Sequence, residues 1–319
     1  MELLTVLLIF SGMVVGWAIG SNDSANCLGT SVGAQILSTR KAVWIVAIFA
    51  LLGAALQGDA TIGTIGNGII DPMYLSAQSV IAILLGAGFL VIGFTLLGMP
   101  VSTTQAVIGG IAGVGLTIAA PIKWPTIGKI MGLGFLTPLF ALVVSFITYK
   151  IFQRLTAKVS FLKMEHILGW IIIGSGAFLA YSLGANNIGN AMGLVVAQGV
   201  MVPVLAGVVG GLALGFGSIT LGKKVIRTVG HRITELDPIM AFTAQTGAAV
   251  SVYALALMGI PTSTSFGIVG GVAGTGLVKG VAAVNRGMIG KIFLGWVVTP
   301  LLGALIAAIT YRIFMFIGI

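Results

Sequence analysis

The chain consists of two similar halves, and this duplication constrains its fold more than any other feature. Four separated motifs of the first half return in the second half in the same order and at nearly the same separation. The matching stretches are GSNDSAN at 20–26 and GANNIGN at 184–190, Asp-Pro at 71–72 and 237–238, MPVSTTQAVIGGIAGVGL at 99–116 and IPTSTSFGIVGGVAGTGL at 260–277, and TYKIF at 148–152 and TYRIF at 310–314. We therefore predict a first repeat over 1–149, a basic connector over 150–166 and a second repeat over 167–319.

The composition places both repeats in a membrane. Of the 319 residues, 58% are hydrophobic and 7% are charged, whereas soluble domains carry about 25% charged residues. The sequence predicts an all-α polytopic membrane protein whose long apolar runs form spanning helices. The 48 glycines favour close helix packing, either within the chain or across a homodimer interface.

The charged and reactive residues exclude several classes of function. A net charge of +9 would indicate nucleic acid binding in a soluble protein, but here the basic residues lie between apolar runs and are typical of cytoplasmic anchors. The expected partner is the lipid bilayer, and no nucleic acid is expected. Cys27 is the one cysteine, which excludes an internal disulfide and a cysteine-based metal cluster. With two histidines and no P-loop or HExxH pattern, nothing supports ATP hydrolysis, a cofactor or a metalloenzyme centre.

The distribution of basic residues indicates that the two repeats have opposite orientations. Arg40 and Lys41 follow the first polar motif, whereas the matching region near Pro203 has no basic residue. Conversely, the loop predicted at 58–71 has none. Its partner at 222–232 carries Lys223, Lys224, Arg227 and Arg232. Because basic loops mark the cytoplasm, matching loops lie on opposite sides, as in the inverted-topology repeats of secondary transporters.

The number of membrane segments follows from this duplication. About five crossings per repeat, with broken helices and re-entrant hairpins, give roughly 10–12 segments. This arrangement places both termini outside a cell membrane and the connector at 150–166 inside it. Lys123 and Lys129 then fall on the outer side, against the charge rule.

The stretch at 98–110 has the features of a helix that begins at membrane depth. Pro100 cannot continue a preceding helix, Ser102 can act as an N-cap, and Gln105 completes a capping-box pattern. Apolar residues flank this helix start on both sides, and a second copy lies at 259–271. Because a helix N-terminus presents free N–H groups and the positive end of its dipole, the two copies predict one anion held between them.

Asp23 is the one acidic residue inside an apolar segment that carries a repeated motif. We predict that the first helix breaks over 21–30, so that Asp23 faces a cavity and holds a cation, since an unpaired carboxylate at membrane depth costs several kcal/mol. The amide oxygens of Asn22 and Asn26 are of the kind that hard cations prefer. The alternative is a capped helix break with Asp23 near the membrane interface.

Hydroxyl side chains gather at both predicted helix starts. They are Ser102, Thr103 and Thr104 in the first copy, and Thr262, Ser263, Thr264 and Ser265 in the second. Hydroxyls and backbone N–H groups bind an oxyanion without a fixed charge. Capping and helix–helix contact in lipid are the alternative for any one of them, but both sets follow a proline, which favours ligand binding. Gln105 suits either the anion or the cation.

Through GSNDSAN, PVSTTQ and their second copies, the chain resembles the inorganic phosphate transporter (PiT) family over essentially its whole length. The resemblance implies phosphate transport with Na⁺ or H⁺, and a phosphate site at the repeat interface with cations beside it. The resemblance implies Asp23, Asn26, Asn187 and Asn190 as cation ligands. We add Gln105 to this set from the reading of its own position. For phosphate the resemblance implies Ser102, Thr103, Thr104, Ser263, Thr264 and Ser265. We add Asn22 to this set. The chain departs from the family pattern at Asn187, which is Asp in many relatives, and this bears on the number of coupled cations.

We therefore predict a secondary active symporter that imports phosphate, with cations binding first and the halves rocking between two open states. No Glu or His lies in the motifs to carry a proton, which favours Na⁺ over H⁺. The alternatives are a sulfate symporter of the same fold, a passive anion channel, and a membrane enzyme that acts on a phosphate ester. The enzyme is the least favoured, because no nucleophile with an activating base lies in either motif.

Overall fold

The computed structural model describes residues 2–158, 161–226, 237–279 and 286–318. Within these ranges the α-helices are α1 (Glu2–Gly33), α2 (Thr39–Gln57), α3 (Asp59–Asn67), α4 (Ala77–Leu96), α5 (Thr103–Thr117), α6 (Trp124–Thr156), α7 (Phe161–Ala197), α8 (Pro203–Gly217), α9 (Pro238–Leu257), α10 (Thr264–Lys279) and α11 (Arg286–Ile317). A π-helical turn at Ser218–Gly222 extends α8, and a 3₁₀ turn lies at Pro72–Tyr74. The predicted all-α class is confirmed.

The helices of the second repeat follow the order of the first but run in the opposite direction. Gly12, near the start of α1, packs against Met192, near the end of α7. Gly176 of α7 packs against Leu28, near the end of α1. The two helices are therefore antiparallel, as expected for inverted repeats. We call the side where α1 begins and α7 ends face A, and the opposite side face B.

α4 and α5 form a re-entrant hairpin, hairpin 1, whose tip is residues 97–102. α4 starts on face A and reaches the middle of α1, where the Asn22 amide donates a hydrogen bond of 2.9 Å to the Thr95 hydroxyl. α5 then returns to face A, where an isolated β-bridge pairs Ile70 with Ile122. The hairpin thus carries a helix start to the centre of the protein.

Hairpin 2, formed by α9 and α10 with its tip at 258–263, enters from face B in the same way. In both tips a left-handed glycine precedes the proline, with φ of +71° at Gly98 and +67° at Gly259. Glycine adopts this backbone region readily and proline cannot continue the preceding helix, so the chain reverses there. The Ser102 hydroxyl accepts a hydrogen bond of 3.3 Å from the Gln105 N–H, which confirms the predicted N-cap.

Each hairpin packs against the last helix of the other repeat, so the two repeats interlock. α5 contacts α11, and α10 contacts α6. A methyl group on Gly109 would lie 2.1 Å from the Pro300 carbonyl oxygen, and one on Gly270 would lie 2.1 Å from that of Pro138. Only glycine permits so close an approach, and the centre of the molecule is therefore built from both repeats.

The predicted break of the first helix over 21–30 is wrong, because α1 continues through this stretch. The motif contains no proline, and its polar groups find partners without breaking the helix; the Ser24 hydroxyl, for example, donates to the Gly20 carbonyl oxygen. α7 likewise continues through the second motif. α2 ends at Gln57 and α3 begins at Asp59, with Gly58 between them, so the loop predicted at 58–71 is partly helical.

Eight helices of the described ranges are long and apolar enough to cross a membrane, namely α1, α2, α4, α6, α7, α8, α9 and α11. Together with the shorter hairpin arms α5 and α10, they agree with the lower end of the expected range of segments. Of the basic residues that predicted the orientation, Arg40 and Lys41 lie at the face B end of α2. Arg227 and Arg232 lie outside the described residues.

Candidate functional site

The two polar motifs and the two hairpin tips meet in the middle of the protein, in what we call the central cluster. Burial of so many polar groups in a membrane protein is costly unless they are paired with each other or with a ligand. Every residue of the two expected ligand sets is buried here, with at most 5% of its surface exposed. The members are Asn22, Asp23, Asn26, Ser102, Thr103, Thr104, Gln105, Asn187, Asn190, Ser263, Thr264 and Ser265.

Asn22 and Asn186 hold the hairpin tips in place. The Asn22 amide donates to the Met99 carbonyl oxygen and accepts from the Val101 N–H, both at 3.0 Å. The Asn186 amide donates to the Thr262 carbonyl oxygen at 2.6 Å and accepts from the Thr262 N–H at 2.9 Å. Each asparagine therefore supplies the backbone partners that a tip without helical hydrogen bonds lacks. Asn186 was absent from the expected ligand sets, although its alignment with Asn22 was visible in the repeat.

Asp23 contacts both hairpins. One carboxylate oxygen accepts a hydrogen bond of 2.9 Å from the Asn26 amide, and the other accepts one of 3.1 Å from the Thr103 hydroxyl. The Asn26 amide also donates to the Ser265 hydroxyl at 2.8 Å. Asp23 is the only charged side chain among the buried residues of the described ranges. The carboxylate thus lies between the starts of α5 and α10.

Asn187 takes the matching position in the second motif. Its side-chain oxygen accepts hydrogen bonds from the Thr103 hydroxyl at 3.3 Å, the Thr104 hydroxyl at 3.4 Å and the Asn190 amide at 2.9 Å. The Asn190 amide also donates to the Thr104 hydroxyl at 2.9 Å. Because Thr103 contacts both Asp23 and Asn187, the two expected groups of cation ligands lie on either side of one hydroxyl.

The amino ends of α5 and α10 point into this cluster. The first N–H groups of a helix have no partner within it and carry the positive end of its dipole. They belong to Thr103 and Thr104 in α5, and to Thr264 and Ser265 in α10. The Asn187 amide donates to the Thr264 hydroxyl at 3.1 Å, so both helix starts face this asparagine. The arrangement provides converging donors for an oxyanion.

Three buried oxygen atoms of the central cluster have no hydrogen-bond partner within the described structure: the side-chain oxygens of Gln105, Asn190 and Ser263. A buried acceptor left without a partner costs about 1–3 kcal/mol. Amide and hydroxyl oxygens are good ligands for a hard cation, and the Ser263 hydroxyl can also donate to an oxyanion. The three atoms indicate that the cluster is built to hold ligands.

A second polar cluster, which the sequence analysis missed, lies toward face B. The Gln245 side chain accepts a hydrogen bond of 2.8 Å from the Ser175 hydroxyl and donates to the hydroxyls of Thr30 at 2.9 Å and Ser31 at 2.5 Å. All four residues are buried. The first repeat has Leu84 at the position of Gln245, so this cluster has no symmetric copy. The sequence signal that could have revealed the cluster is Gln245 itself, an amide side chain within an apolar span.

Comparison with known proteins identifies the class to which this arrangement belongs. Residues 19–307 match the phosphate transporter family. The chain belongs to this family. A protein of Thermococcus kodakarensis named as a phosphate permease is 30% identical, and the alignment covers 98% of both chains. A protein of Rhizobium meliloti named as a low-affinity inorganic phosphate transporter is 30% identical over 97% of this chain and 96% of its own length.

A solved structure shares the whole fold. The sodium-dependent phosphate transporter matches with a TM-score of 0.88 and 25% identity, covering 98% of this chain and 99% of its own. The family indicated by the GSNDSAN and PVSTTQ motifs is confirmed. The chain is thus a multi-pass membrane protein of a family that transports phosphate and is not an enzyme.

Proposed function

We propose that the protein is a secondary active symporter that imports inorganic phosphate together with Na⁺. The charge of the central cluster carries this proposal: two helix starts suited to an anion enclose the Asp23 carboxylate, and the buried residues of the described chain include no Lys or Arg. Phosphate beside this carboxylate would be strongly repelled in a medium of low dielectric constant. Cations bound in the same cluster remove the repulsion, and the binding of phosphate and cation is thereby coupled.

Phosphate is assigned to the space between the helix starts. The free N–H groups there, together with the hydroxyls of the expected set, donate to its oxygens. These hydroxyls belong to Ser102, Thr103, Thr104, Ser263, Thr264 and Ser265. Because both polar atoms of the Asn22 amide bind the tip of hairpin 1, Asn22 acts as a positioning residue for this set and does not itself hold phosphate.

The cations are assigned to the oxygens around Asp23 and Asn187. Asp23 supplies the charge, and Asn26, Gln105 and Asn190 supply neutral amides. Neutral amide oxygens coordinate a bare ion but do not take up a proton at neutral pH. This chemistry supports Na⁺ over H⁺, and the sodium dependence of the matched solved structure agrees with it.

Transport requires access to the central cluster from each face in turn. Hairpin 1 packs on α11 and hairpin 2 packs on α6, and each of these two units contains elements of both repeats. We propose that the two units move in opposition, so that the two faces open in turn. Lys150, Arg154 and Lys158 lie at the face B end of α6. Face B is therefore cytoplasmic, and both termini lie outside the cell membrane.

Uptake of radiolabelled phosphate into proteoliposomes tests the proposal. An inward Na⁺ gradient is imposed in one set and an inward H⁺ gradient in the other, with sulfate as competitor. We expect accumulation with Na⁺ that sulfate does not reduce. Accumulation with H⁺ alone would contradict the assignment of Na⁺ as the coupling ion. Accumulation of sulfate in place of phosphate would contradict the assignment of phosphate as the substrate. Equilibration without accumulation would show a passive channel.

A further inference from the structure

A cavity of about 480 Å³ opens on face A beside the tip of hairpin 2. It lies between α3, the first turns of α6 and that tip. Its polar and charged lining residues are Asp59, Thr64, Asn67, Thr126 and Lys129. We call it the face A vestibule.

One hydrogen bond joins the tip of hairpin 2 to α3 at the vestibule. The Thr64 hydroxyl donates a hydrogen bond of 2.6 Å to the Gly259 carbonyl oxygen, and we call this contact the face A latch. Ile130 and Ile260, each 3% exposed, are the buried apolar side chains of the lining. Three residues after Gly259, Thr262 already belongs to the tip held by Asn186. The tip therefore extends from the lining of the vestibule to the central cluster.

The lysines that lie on the wrong side of the charge rule are the ones that frame this vestibule. Lys129 lines the cavity itself. The Lys123 ammonium donates a hydrogen bond of 3.0 Å to the Asn67 carbonyl oxygen, which fixes the end of α3 at the rim. Basic residues on an outer face oppose the orientation signal of a membrane protein. The orientation signal therefore does not account for these two lysines, and their place at the cavity requires another explanation.

We infer that the face A vestibule is a loading site for phosphate, in which the Lys129 ammonium holds the anion before hairpin 2 opens. The inference rests on the proposed function. The Thr126 hydroxyl and the Asn67 amide supply further donors in the same cavity. Asp59 faces the cavity as well and weakens the hold on the anion, as a transient site requires.

The cavity of the opposite face differs in charge. A cavity of about 420 Å³ on the side of hairpin 1 is lined by Thr220, Leu221, Lys223 and Lys224. There the Lys224 ammonium donates a hydrogen bond of 2.6 Å to the Leu96 carbonyl oxygen. The repeat alignment places Lys223 opposite Asp59. Of these two cavities, only the face A vestibule has a carboxylate in its lining, that of Asp59.

The first test compares Lys129→Gln with Arg312→Gln in uptake by whole cells, in which all copies share one orientation. Arg312 is an exposed cation near the face A end of α11, so both variants lose one positive charge on the same face. A charged opening raises the local concentration of an oppositely charged ligand, and we expect Lys129→Gln to raise the KM for phosphate about threefold to tenfold with kcat unchanged. Asp59→Asn should lower this KM, and Lys129→Arg should restore the wild-type value.

The dependence on ionic strength separates a loading site from a change of fold. At constant Na⁺, added choline chloride should raise the KM of the wild type and of Arg312→Gln but leave that of Lys129→Gln nearly unchanged, because screening acts on the charge that was removed. Equal KM values in Lys129→Gln and Arg312→Gln would overturn the inference. Failure of the wild type to take up phosphate with Na⁺ would instead overturn the proposed function.

A chemical rescue gives an independent test at the same position. Lys129→Cys should have the raised KM, and aminoethylation of the new thiol, which returns an ammonium group, should lower it again. Cys27, the one native cysteine, is fully buried, so the treated wild type serves as control. Phosphate should slow the modification, whereas sucrose of equal osmolarity should not. If phosphate does not change the rate of modification, no anion occupies the vestibule.

Discussion

At the residue scale, Asp23 and Asn187 occupy the same position of the repeat and differ in charge. The Asn187 oxygen already accepts three hydrogen bonds, from Thr103, Thr104 and Asn190. A carboxylate could accept from the same three donors, and the Thr264 hydroxyl, which now accepts from the Asn187 amide, could turn and donate to it. Hydrogen bonding at this position therefore does not require an asparagine. In the proposed mechanism, the number of carboxylates sets the number of cations that bind with each phosphate.

Changing the charge at position 23 or at position 187 should change the binding of Na⁺. Asp23→Asn removes the only buried charge of the described chain, and we expect the affinity for Na⁺ to fall by more than about 100-fold, equivalent to about 3 kcal/mol. Asn187→Asp should add one cation per phosphate and steepen the dependence of uptake on Na⁺. The charge moved per phosphate, measured as current and tracer flux in the same proteoliposomes, checks both. An unchanged ratio in Asn187→Asp would show that Asn187 is not a cation ligand.

At the scale of the structural element, the hairpins depend on single asparagines. The Asn22 and Asn186 amides replace backbone partners for the two tips. Of these two asparagines, Asn22 alone was among the phosphate ligands expected from the sequence. If both asparagines act as clamps, their removal should have equal effects although they lie in different repeats. If Asn22 holds phosphate directly, its removal should be the more damaging.

We predict that Asn22→Ala and Asn186→Ala reduce phosphate uptake by a similar factor and weaken phosphate and Na⁺ binding together. Each removes the amide that pairs an N–H and a carbonyl group of a tip, and a group left without any partner costs about 1–3 kcal/mol. In Asn186→Ala the Thr262 carbonyl oxygen keeps the Thr104 hydroxyl as a donor at 3.0 Å. The measurement is the rise in melting temperature on adding phosphate, with and without Na⁺, compared with uptake. Ser182→Ala, which removes a buried hydroxyl that donates to the Phe178 carbonyl oxygen one turn earlier in α7, is the control. A defect confined to phosphate affinity in Asn22→Ala would identify Asn22 as a ligand.

The elements also show where sequence reasoning succeeds and where it stops. The proline and the N-cap Ser102 fix the start of α5 locally, and for that reason this helix start could be read from the sequence. The break expected over 21–30 failed because the partners of Asn22 and Asp23 come from hairpin tips remote in the chain, and these allow a polar stretch to remain helical. Gln245 was missed because its cluster has no second copy. The pairing of Gly109 with Pro300 depends on the interlocked repeats, which no local pattern encodes.

At the scale of the whole molecule, the proposed alternating access implies that the tip of hairpin 2 separates from α3. The face A latch joins the Thr64 hydroxyl to the Gly259 carbonyl oxygen. A Cβ atom at position 259 would lie 3.2 Å from the Thr64 hydroxyl oxygen, which brings two cysteines at these positions within reach of a disulfide. Since Gly259 has a φ of +67°, a side chain there costs about 1–2 kcal/mol, which the single variant Gly259→Cys controls.

We predict that the double variant Thr64→Cys, Gly259→Cys loses phosphate uptake on oxidation and regains it on reduction, because the disulfide keeps hairpin 2 against α3. Phosphate should still bind to the oxidised protein in detergent, since the locked latch leaves access from face B. Each single cysteine variant should transport equally under both conditions, as the buried Cys27 offers no partner. Full uptake by the oxidised double variant, with the disulfide verified by mass, would mean that phosphate passes without separation of hairpin 2 from α3. Loss of both uptake and binding would mean that the same movement also admits phosphate from face B, so that the two faces open through one hairpin rather than through two.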